Sequence, residues 1–540
     1  MPHIYKIHAM ADGSISSSAG SMPTSAPPPL ARWLMPSVSD LLFVAILATL
    51  VFTPLSVKLL NDAGTGWHIR TGQTILANHE IPRFDPFSAQ IKLPWFAWEW
   101  LYDVVIGALD AWCGLNGVVW FTAVIIALVF AWTFRLLLSR GTNLVAGILL
   151  TLMAIGASMI HFLARPHVLS WLFVVAWLRV LEGTESQATG SVRNRKLWFL
   201  PLLMAVWVNV HGGFLLGFVL LFAYWLGALW SWWSLSESRL EESLEKIAAG
   251  KRSRDLFLVG LVSLVASLIN PYGWKLHEHI YCYLTNRFLM NHIDEFQSPN
   301  FHNIAPQCFL VLVLIAVAVL AVRGRRLPLA HILILLFAIL AGLYSARNIP
   351  TSSILLLLII APHLPSMGLK TFFHRMSVID SRLKGHLWPV AATVATLVVA
   401  SIGGKLMDAH FDPHRMPVGA INYLESTGTR APILSPDYWG GYVIYRLYPH
   451  NNVVIDDRHD FYAQEDLYRG QFLKSYLTMM HVEPQWETFL KWHDDCVVMP
   501  RNSALAAIMG KTSDWRTVYA DDVAVVFVPT RQREDSDRAP

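Results

Sequence analysis

Charged residues are scarce in this sequence: only 15% of its 540 residues are Asp, Glu, Lys or Arg, whereas 54% are hydrophobic. This composition, with a mean hydropathy of +0.42, excludes an ordinary soluble globular protein. Long apolar runs alternate with short polar segments, which predicts a polytopic α-helical membrane protein. Membrane lipids are therefore expected partners, and nucleic acid is not.

Cysteine is scarce too. The chain has only four cysteines, which lie far apart and form no CxxC pair: Cys113, Cys282, Cys308 and Cys496. Neither a disulfide framework nor a zinc site is predicted from them. A Walker-type or GxGxxG phosphate loop is also missing, which argues against a soluble nucleotide as ligand. The Ser- and Pro-rich N-terminus lacks the basic and apolar regions of a cleaved signal.

Eleven segments are apolar over most of the roughly 20 residues that a membrane-crossing helix needs. They are predicted at residues 39–60, 117–138, 143–163, 167–183, 196–211, 213–233, 254–270, 305–323, 327–345, 348–365 and 388–405. Boundaries of several of these spans could move by a few residues.

Basic loops set the predicted direction of the spans. Four of them separate predicted spans, at residues 193–196, 246–254, 323–326 and 370–384. The positive-inside rule places all four in the cytoplasm, which requires that segment 98–114 does not cross the membrane. Its length and its Glu99, Asp103 and Asp110 predict a helix lying in the outer leaflet. The N-terminus is then cytoplasmic, and the chain after the last span is extracytoplasmic.

Composition divides the chain further. Residues 406–540 contain 13 Lys and Arg against 19 Asp and Glu, a net charge of −6, which leaves +10 for the rest. The predicted parts are a disordered cytoplasmic tail at 1–38, a membrane domain at 39–405 with a large external loop and juxtamembrane helices at 61–116, a small extracytoplasmic α/β domain at 406–530, and a disordered tail at 531–540. The predicted location is the inner (plasma) membrane of a bacterium.

Polar motifs converge on the extracytoplasmic ends of the predicted spans. They are NDAGTGWHIRTG (61–72), FLARPHVLS (162–170), WVNVHGGF (207–214), INPYGW (269–274), NHIDEFQSPNF (291–301) and YSARNIP (344–350). An ionisable group such as Arg165, His211 or Arg347 costs roughly 2.5 kcal/mol or more inside a membrane, so these residues predict a polar pocket on one face. Alternatively, the arginines could snorkel to headgroups, and His211, beside Gly212 and Gly213, could make an interhelical hydrogen bond.

The first external loop resembles that of the GT-C superfamily of integral membrane glycosyltransferases. Asp62 follows the first span, a short helix is predicted at 66–78, and IPRFDPFS and PWFAWEW come after it. A narrower resemblance, to a group of uncharacterised bacterial glycosyltransferase-like membrane proteins, rests on GWHIRTGQTILANHEIPRFDPFS, WEWL, WVNVHGGF, NPYG, EFQSPNF, DYWGGYVIYRL and VVIDDRHDFY. Similar sequences in that group often have a second acid shortly before the Trp-His pair, near the place where this chain has Gly64.

This resemblance implies transfer of a sugar from a polyprenyl phosphate or pyrophosphate, usually with inversion, to a glycan, lipid or protein acceptor. The attacking hydroxyl needs a general base; Asp62 is the first candidate and Glu99 the second. Asp62 could equally cap the loop helix. Cations that neutralise the leaving phosphate accelerate the reaction. The expected phosphate ligands are, in order, Arg347, Arg165, His211 and Arg70.

Other substrate contacts are expected from the same motifs, at Trp67, His68, Asn209, Asn270, Tyr272 and Glu295. No cofactor is assigned. His68, His292, Asp294 and Glu295 could hold a divalent metal, but their separation in sequence favours surface or hydrogen-bonding roles. The aromatic residues around position 98 could stack on sugars, and an interfacial aromatic belt predicts the same residues.

The C-terminal part has a different pattern. The short apolar segments APILS, NVVID, DCVVMP, RTVYA and VAVVFVP are predicted strands that alternate with helices. WGGY (439–442) is interpreted as a packing element at a helix start. IDDRHDFY (455–462) follows a strand and could contact substrate, or form an internally salt-bridged turn. The domain is expected to position the acceptor, so that removing residues 406–540 would preserve donor binding.

Two other functions fit parts of this pattern. A transporter or flippase of lipid-linked saccharides would also need a polar cavity and phosphate-binding arginines, but such proteins often contain internal repeats, and none is found here. A non-catalytic assembly protein would accommodate Gly64 but leaves Arg165 and Arg347 unexplained.

Overall fold

The computed structural model describes residues 29–89, 93–185, 194–235, 240–364, 380, 383, 385–464, 468–493 and 495–530. The predicted tail at 531–540 and most of that at 1–38 lie outside these residues. Within the predicted N-terminal tail, however, Pro29–Leu34 is helical, so the prediction of disorder was wrong for these residues.

Helices form most of the described chain. The α-helices are α1 (Pro29–Leu34), α2 (Val38–Phe52), α3 (Leu55–Lys58), α4 (Gly64–Asn78), α5 (Trp100–Cys113), α6 (Leu115–Ser139), α7 (Leu144–Ser158), α8 (His167–Glu185), α9 (Phe199–Trp207), α10 (Leu215–Ser234), α11 (Leu240–Ala266), α12 (Trp274–Thr285), α13 (Arg287–His292), α14 (Ile304–Arg323), α15 (Leu329–Tyr344), α16 (Ile349–Ile360), α17 (Leu387–Ile402), α18 (Val418–Thr427), α19 (Asp437–Leu447), α20 (His459–Tyr462), α21 (Phe472–Met480), α22 (Glu487–Trp492) and α23 (Ala504–Met509).

Five helical segments within the described residues are long and apolar enough to cross a membrane. They are Arg32–Phe52, Leu115–Ser139, Leu144–His161, Gly212–Ser234 and Ile304–Arg326, and the shorter apolar helices are Leu329–Tyr344 and Leu387–Ile402. The number of eleven crossings stays a prediction. One predicted crossing, 196–211, contains an α-helix of only 9 residues, α9, and the first predicted crossing is broken at Thr53, which is extended because a proline follows it.

The first loop region, residues 61–116, is built on two helices in close contact. A Cβ added at Gly72 of α4 would lie 1.8 Å from the carbonyl oxygen of Asp103 in α5, and one at Gly107 would lie 2.7 Å from the backbone nitrogen of Gln73. The absence of side chains at these glycines lets the two backbones meet. The predicted helix at 66–78 is confirmed, and segment 98–114 contains α5, which has 14 residues. That this segment does not cross the membrane stays a prediction.

The C-terminal domain contains one mixed sheet of four strands: β1 (Ile433–Leu434), β2 (Cys496–Pro500), β3 (Trp515–Ala520) and β4 (Ala524–Pro529). Their order is β1-β2-β4-β3, in which β1 and β2 are parallel and the other pairs antiparallel. The prediction of a fifth strand at NVVID was wrong. Val453 forms isolated bridges with Ile433 and Ser88 instead, because that segment runs between the domain and the first loop region.

Helix α4 is also packed against α19 of the C-terminal domain. A Cβ at Gly66 would lie 2.2 Å from the carbonyl oxygen of Gly441, and one at Gly441 would lie 2.3 Å from the carbonyl oxygen of Ala63. Arg70 donates to the carbonyl oxygen of Tyr445 through Nε at 2.7 Å and through Nη2. The interpretation of WGGY as a packing element at a helix start is confirmed, since Gly441 lies in the first turns of α19.

Gly441→Ala is therefore expected to destabilise the joint between α4 and α19. Its new methyl group would meet backbone atoms that cannot rotate away, and overpacking of this kind costs roughly 1–3 kcal/mol. Thermal unfolding in detergent should occur at a lower temperature. Gly324→Ala is the matched control, because no atom lies within 4 Å of a Cβ added there; equal melting of the two variants would contradict the expectation.

Candidate active site

A cavity of about 960 Å³ lies between the first loop region, the C-terminal domain and the adjacent ends of the membrane helices. Asp62 and Glu99 from the first loop region, Arg165 and Arg347 from connections between helices, and Asp457 from the C-terminal domain all line it. Residues that the sequence separates by hundreds of positions are thus brought to one surface. Five of the six polar motifs contribute lining residues here, whereas INPYGW (269–274) contributes none.

Arg165 lies between two carboxylates of this cavity. Its Nη1 donates to Oδ2 of Asp457 at 2.9 Å, and its Nε is 3.5 Å from Oδ2 of Asp62. Asp62 also accepts a hydrogen bond from the backbone nitrogen of Gly64 at 2.9 Å. The carboxylate of Asp62 therefore both binds the backbone at the start of α4 and pairs with Arg165, but the N-cap of α4 is Ala63 and has no side-chain cap, so the helix-capping alternative was wrong.

Glu99 stands beside two histidines. Its Oε2 is 3.7 Å from Nε2 of His68, and its Oε1 is 3.8 Å from Nε2 of His211. Nδ1 of His211 accepts a hydrogen bond from the backbone nitrogen of Gly213 at 3.0 Å and is 2.8 Å from the hydroxyl of Ser170. Because Nδ1 accepts, the neutral imidazole of His211 carries its proton on Nε2, the nitrogen directed towards Glu99.

Burial sets the protonation of Glu99. The residue is 9% exposed, and removal from water disfavours the charged carboxylate. Burial raises the pKa of Glu99 to about 7, against the opposing effects of Arg165 and Arg347. A carboxylate with this pKa exchanges a proton readily near neutral pH.

Arg347 lies at the junction with a second cavity. Its Nη1 is 3.6 Å from Oε2 of Glu295, and its guanidinium lies 5.4 Å from the ring centre of Phe296. Although burial raises the pKa of Glu295, the charge of Arg347 lowers it below its ordinary value. The second cavity, of about 340 Å³, shares Arg165, His211, Glu295 and Arg347 with the first.

The remainder of the second cavity is largely apolar. It runs between α8, α10, α15 and α16, and its apolar lining includes Trp171, Val174, Leu216, Val219, Phe337 and Ala341. An apolar channel that ends at two arginines, Arg165 and Arg347, each beside a carboxylate, matches the chemistry of a lipid that carries an anionic headgroup.

Several predicted site residues lie outside the linings of both cavities. Arg70 binds the carbonyl oxygen of Tyr445, and Asn209 bridges Trp100 and the carbonyl oxygen of Ile269. Asn270 bonds within its own turn, and the hydroxyl of Tyr272 accepts from the backbone nitrogen of Ala97. These side chains hold loops that carry the lining residues.

His68 is fully buried beneath the cavity. Its Nδ1 is 2.6 Å from Oδ1 of Asp103, and its ring stacks on that of Trp67, with 3.6 Å between centres. Trp67, by contrast, lines the cavity. The structure thus brings Asp62, Trp67, Glu99, Arg165, His211, Glu295 and Arg347 together, out of the residues that the sequence singled out.

The metal hypothesis does not fit this arrangement. Among the described residues, no group of three or more His, Cys, Asp or Glu side chains is placed to hold a metal ion. His68, one of the residues considered for it, is enclosed by Trp67 and Asp103. The guanidinium of Arg165, rather than a metal site, lies between the carboxylates of Asp62 and Asp457.

The C-terminal domain contributes lining residues that the site predictions omitted, among them Asp457, Asp437, Tyr438 and His459. Nε2 of His459 is 2.7 Å from Oδ2 of Asp437, and although burial lowers the pKa of His459, Asp437 raises it above its ordinary value. The signal for Asp457 and His459 was the acidic run after an apolar segment at 455–462. The internally salt-bridged turn is confirmed, because Asp456 pairs with Arg458. Asp457 faces the cavity, and contact of this run with a substrate stays a prediction.

No protein-family model matches this chain, and no curated protein matches it. Its fold is similar to that of the oligosaccharyltransferase AglB from Archaeoglobus fulgidus. The apo form matches with a TM-score of 0.55 and 11% identity, over 86% of this chain and 69% of that one. The complex of AglB with an inhibitory peptide and a dolichol-phosphate matches with a TM-score of 0.52 and 10% identity, over 86% and 69% of the two chains.

ArnT from Cupriavidus metallidurans in the apo state matches with a TM-score of 0.49 and 14% identity, over 93% of this chain and 98% of that one. AglB and ArnT are GT-C superfamily glycosyltransferases. The predicted GT-C resemblance is confirmed at the level of the fold, through the similarity to AglB. The narrower resemblance to one bacterial group stays a prediction.

Proposed function

We propose that this protein is a membrane glycosyltransferase that moves a sugar from a polyprenyl phosphate or pyrophosphate to an acceptor at the extracytoplasmic face. The observation that carries the proposal is the meeting of two cavities, a larger and more polar one and a smaller and more apolar one, at Arg165, His211 and Arg347. The GT-C fold supports it. The inner membrane location and the orientation of the termini belong to the same proposal.

The donor would lie across the junction of the cavities. Its isoprenoid chain would follow the apolar cavity, and its phosphate would meet Arg347 and Arg165, whose guanidinium groups donate to phosphate oxygens. The complex of AglB with a dolichol-phosphate supports a ligand of this class. Fixed cations at the leaving phosphate stabilise the charge that develops in the transition state.

Glu99 is the better candidate for the general base. Both oxygens of Asp62 are engaged, Oδ1 by the backbone nitrogen of Gly64 and Oδ2 by Arg165, which leaves this carboxylate less able to approach an acceptor hydroxyl. Glu99 lines the cavity with its pKa raised to about 7, which suits proton removal from an acceptor hydroxyl. The order of the two candidates given by the sequence is reversed in this proposal, and Asp62 holds Arg165.

The acceptor would enter from the side of the C-terminal domain. Tyr438, 53% exposed, presents an aromatic ring at the cavity, beside the pair formed by Asp437 and His459. Aromatic rings with adjacent polar groups suit a hydroxyl-bearing acceptor such as a glycan. A glycan, lipid or protein acceptor all remain within the proposal.

Release of polyprenyl phosphate from a panel of polyprenyl-linked sugars tests this function directly. Purified wild-type protein should release it, and Arg347→Ala should lower the rate by roughly 100-fold, the typical effect of removing one charge-stabilising donor. Arg254→Ala is the control, because that side chain is 67% exposed and outside both cavities. Binding of these lipids by the wild type without turnover of any acceptor would favour a flippase or an assembly protein.

A further inference from the structure

Among the described residues of the C-terminal domain, Asp457 is the one whose carboxylate binds Arg165. Both oxygens of Asp457 are bound: Oδ1 accepts from Nε1 of Trp67 at 2.9 Å, and Oδ2 accepts from Nη1 of Arg165 at 2.9 Å. Trp67 fixes the direction of this carboxylate, so that Oδ2 is held towards Arg165. Asp457 contacts the arginine rather than the junction of the cavities itself.

Gly64 provides the space in which this contact forms. A Cβ added at Gly64 would lie 1.5 Å from Nη1 of Arg165 and 2.3 Å from Oδ2 of Asp457. Any side chain at this position would displace the guanidinium from the carboxylate. Gly64 is the first residue of α4. The ion pair of Arg165 and Asp457 occupies the space that a side chain at this position would need.

The geometry also leaves one nitrogen of Arg165 available. Nε is near Asp62 and Nη1 is bound by Asp457, whereas Nη2 has no hydrogen-bond partner among the described residues. The side chain of Arg165 lines both cavities. A guanidinium held at Nε and at Nη1 by two carboxylates presents its remaining nitrogen in a set direction, which lowers the cost of ordering it when an anion binds.

We propose that Asp457 and Gly64 are positioning residues that set the guanidinium of Arg165, so that the C-terminal domain completes the anion-binding part of the site as well as facing the acceptor. The identity of that anion as a donor phosphate rests on the proposed function. The positioning itself rests only on the contacts of Asp457, Arg165, Trp67 and Gly64.

The reactivity of Arg165 towards phenylglyoxal, measured peptide by peptide with mass spectrometry, tests the positioning without reference to any activity. Ion pairing with a carboxylate favours the protonated, unreactive guanidinium. Asp457→Asn and Gly64→Ala should each raise the modification rate of Arg165 several-fold. Asp457→Glu, which keeps the charge, should react more slowly than Asp457→Asn.

Two controls separate this result from a general loss of structure. Gly260→Ala adds a methyl group where no atom lies within 4 Å and should leave Arg165 at its wild-type rate. Arg446, which is bound elsewhere in the C-terminal domain, should be unchanged in every variant. The double variant of Gly64→Ala with Asp457→Asn should be no faster than the faster single variant, because both remove one shared contact.

The affinity of the protein for undecaprenyl phosphate, measured in lipid nanodiscs, tests whether this positioning matters for binding of the proposed donor. Asp457→Asn and Gly64→Ala should weaken binding by about tenfold, the scale of one hydrogen bond to a charged group. Unchanged Arg165 reactivity in both variants would overturn the positioning proposal. If the wild type binds no polyprenyl phosphate while the reactivity pattern is as expected, the positioning stands and the proposed donor fails.

Discussion

Glu99→Gln should abolish most turnover of this protein while leaving it folded. Glutamine has nearly the same shape but cannot accept a proton, and loss of a general base typically lowers the rate by roughly 10²–10⁴-fold. Glu99 lies in the cavity beside His68 and His211. The measurement is kcat/KM for sugar transfer from a polyprenyl-linked donor.

The pH profile makes this expectation more specific. Only ionised Glu99 can accept a proton, and burial raises its pKa to about 7. The wild-type rate should therefore rise with pH below about 7 and level off above it, whereas the residual rate of Glu99→Gln should not follow that step.

Glu278→Gln is the matched control for this experiment, because Glu278 is exposed on α12 and outside both cavities. It should keep the wild-type rate and profile. A wild-type profile in Glu99→Gln would remove Glu99 from the mechanism and return the role of base to Asp62.

Arg458→Met should be the most destabilising of the substitutions considered. Arg458 is 3% exposed, and its guanidinium binds Oδ1 of Asp85 at 2.6 Å and Oδ2 of Asp456 at 2.6 Å. Methionine would leave these two acids buried without a counter-charge, which typically costs about 3–5 kcal/mol. Thermal unfolding in detergent should shift to a markedly lower temperature, and proteolysis of the C-terminal domain should accelerate.

Charge balance distinguishes this cause from simple loss of packing. Adding Asp85→Asn and Asp456→Asn to Arg458→Met removes the unpaired charges and should restore part of the stability. Arg430→Met, at an exposed position of the same domain, should melt like the wild type. If the triple variant is no more stable than Arg458→Met, the packing of Arg458 against Trp95, at 4.7 Å from the ring centre, would be its main contribution.

These contacts change the expectation for a chain that lacks residues 406–540. Sequence composition predicted that donor binding would survive the truncation. The structure shows Asp457 on Arg165, Arg458 on Asp85 and α19 packed on α4 through Gly441. Truncation would expose α4 and free Arg165, so donor binding is now expected to weaken along with acceptor choice.

The sequence by itself indicated membrane helices and most of the polar motifs that meet at the first cavity. Scarcity of charge and the long apolar runs predict membrane helices, because a helix surrounded by lipid must itself consist mostly of apolar residues. Asp62, Arg165 and Arg347 were found for the same reason, because an ionisable residue at the end of an apolar run is unusual wherever it occurs. The glycine-rich WGGY was likewise recognisable as a packing element.

Only the tertiary structure decided which of these residues act together. Trp67 meets Asp457 across 390 positions of the chain, and Arg165 meets it across 292, and no local periodicity encodes such a pair. Burial, too, follows from the fold: the pKa of Glu99 is raised because other segments exclude water from it. Arg70, in a polar motif as prominent as the others, was turned towards Tyr445, because the packing of α4 between α5 and α19 fixes which of its side chains can reach the cavity.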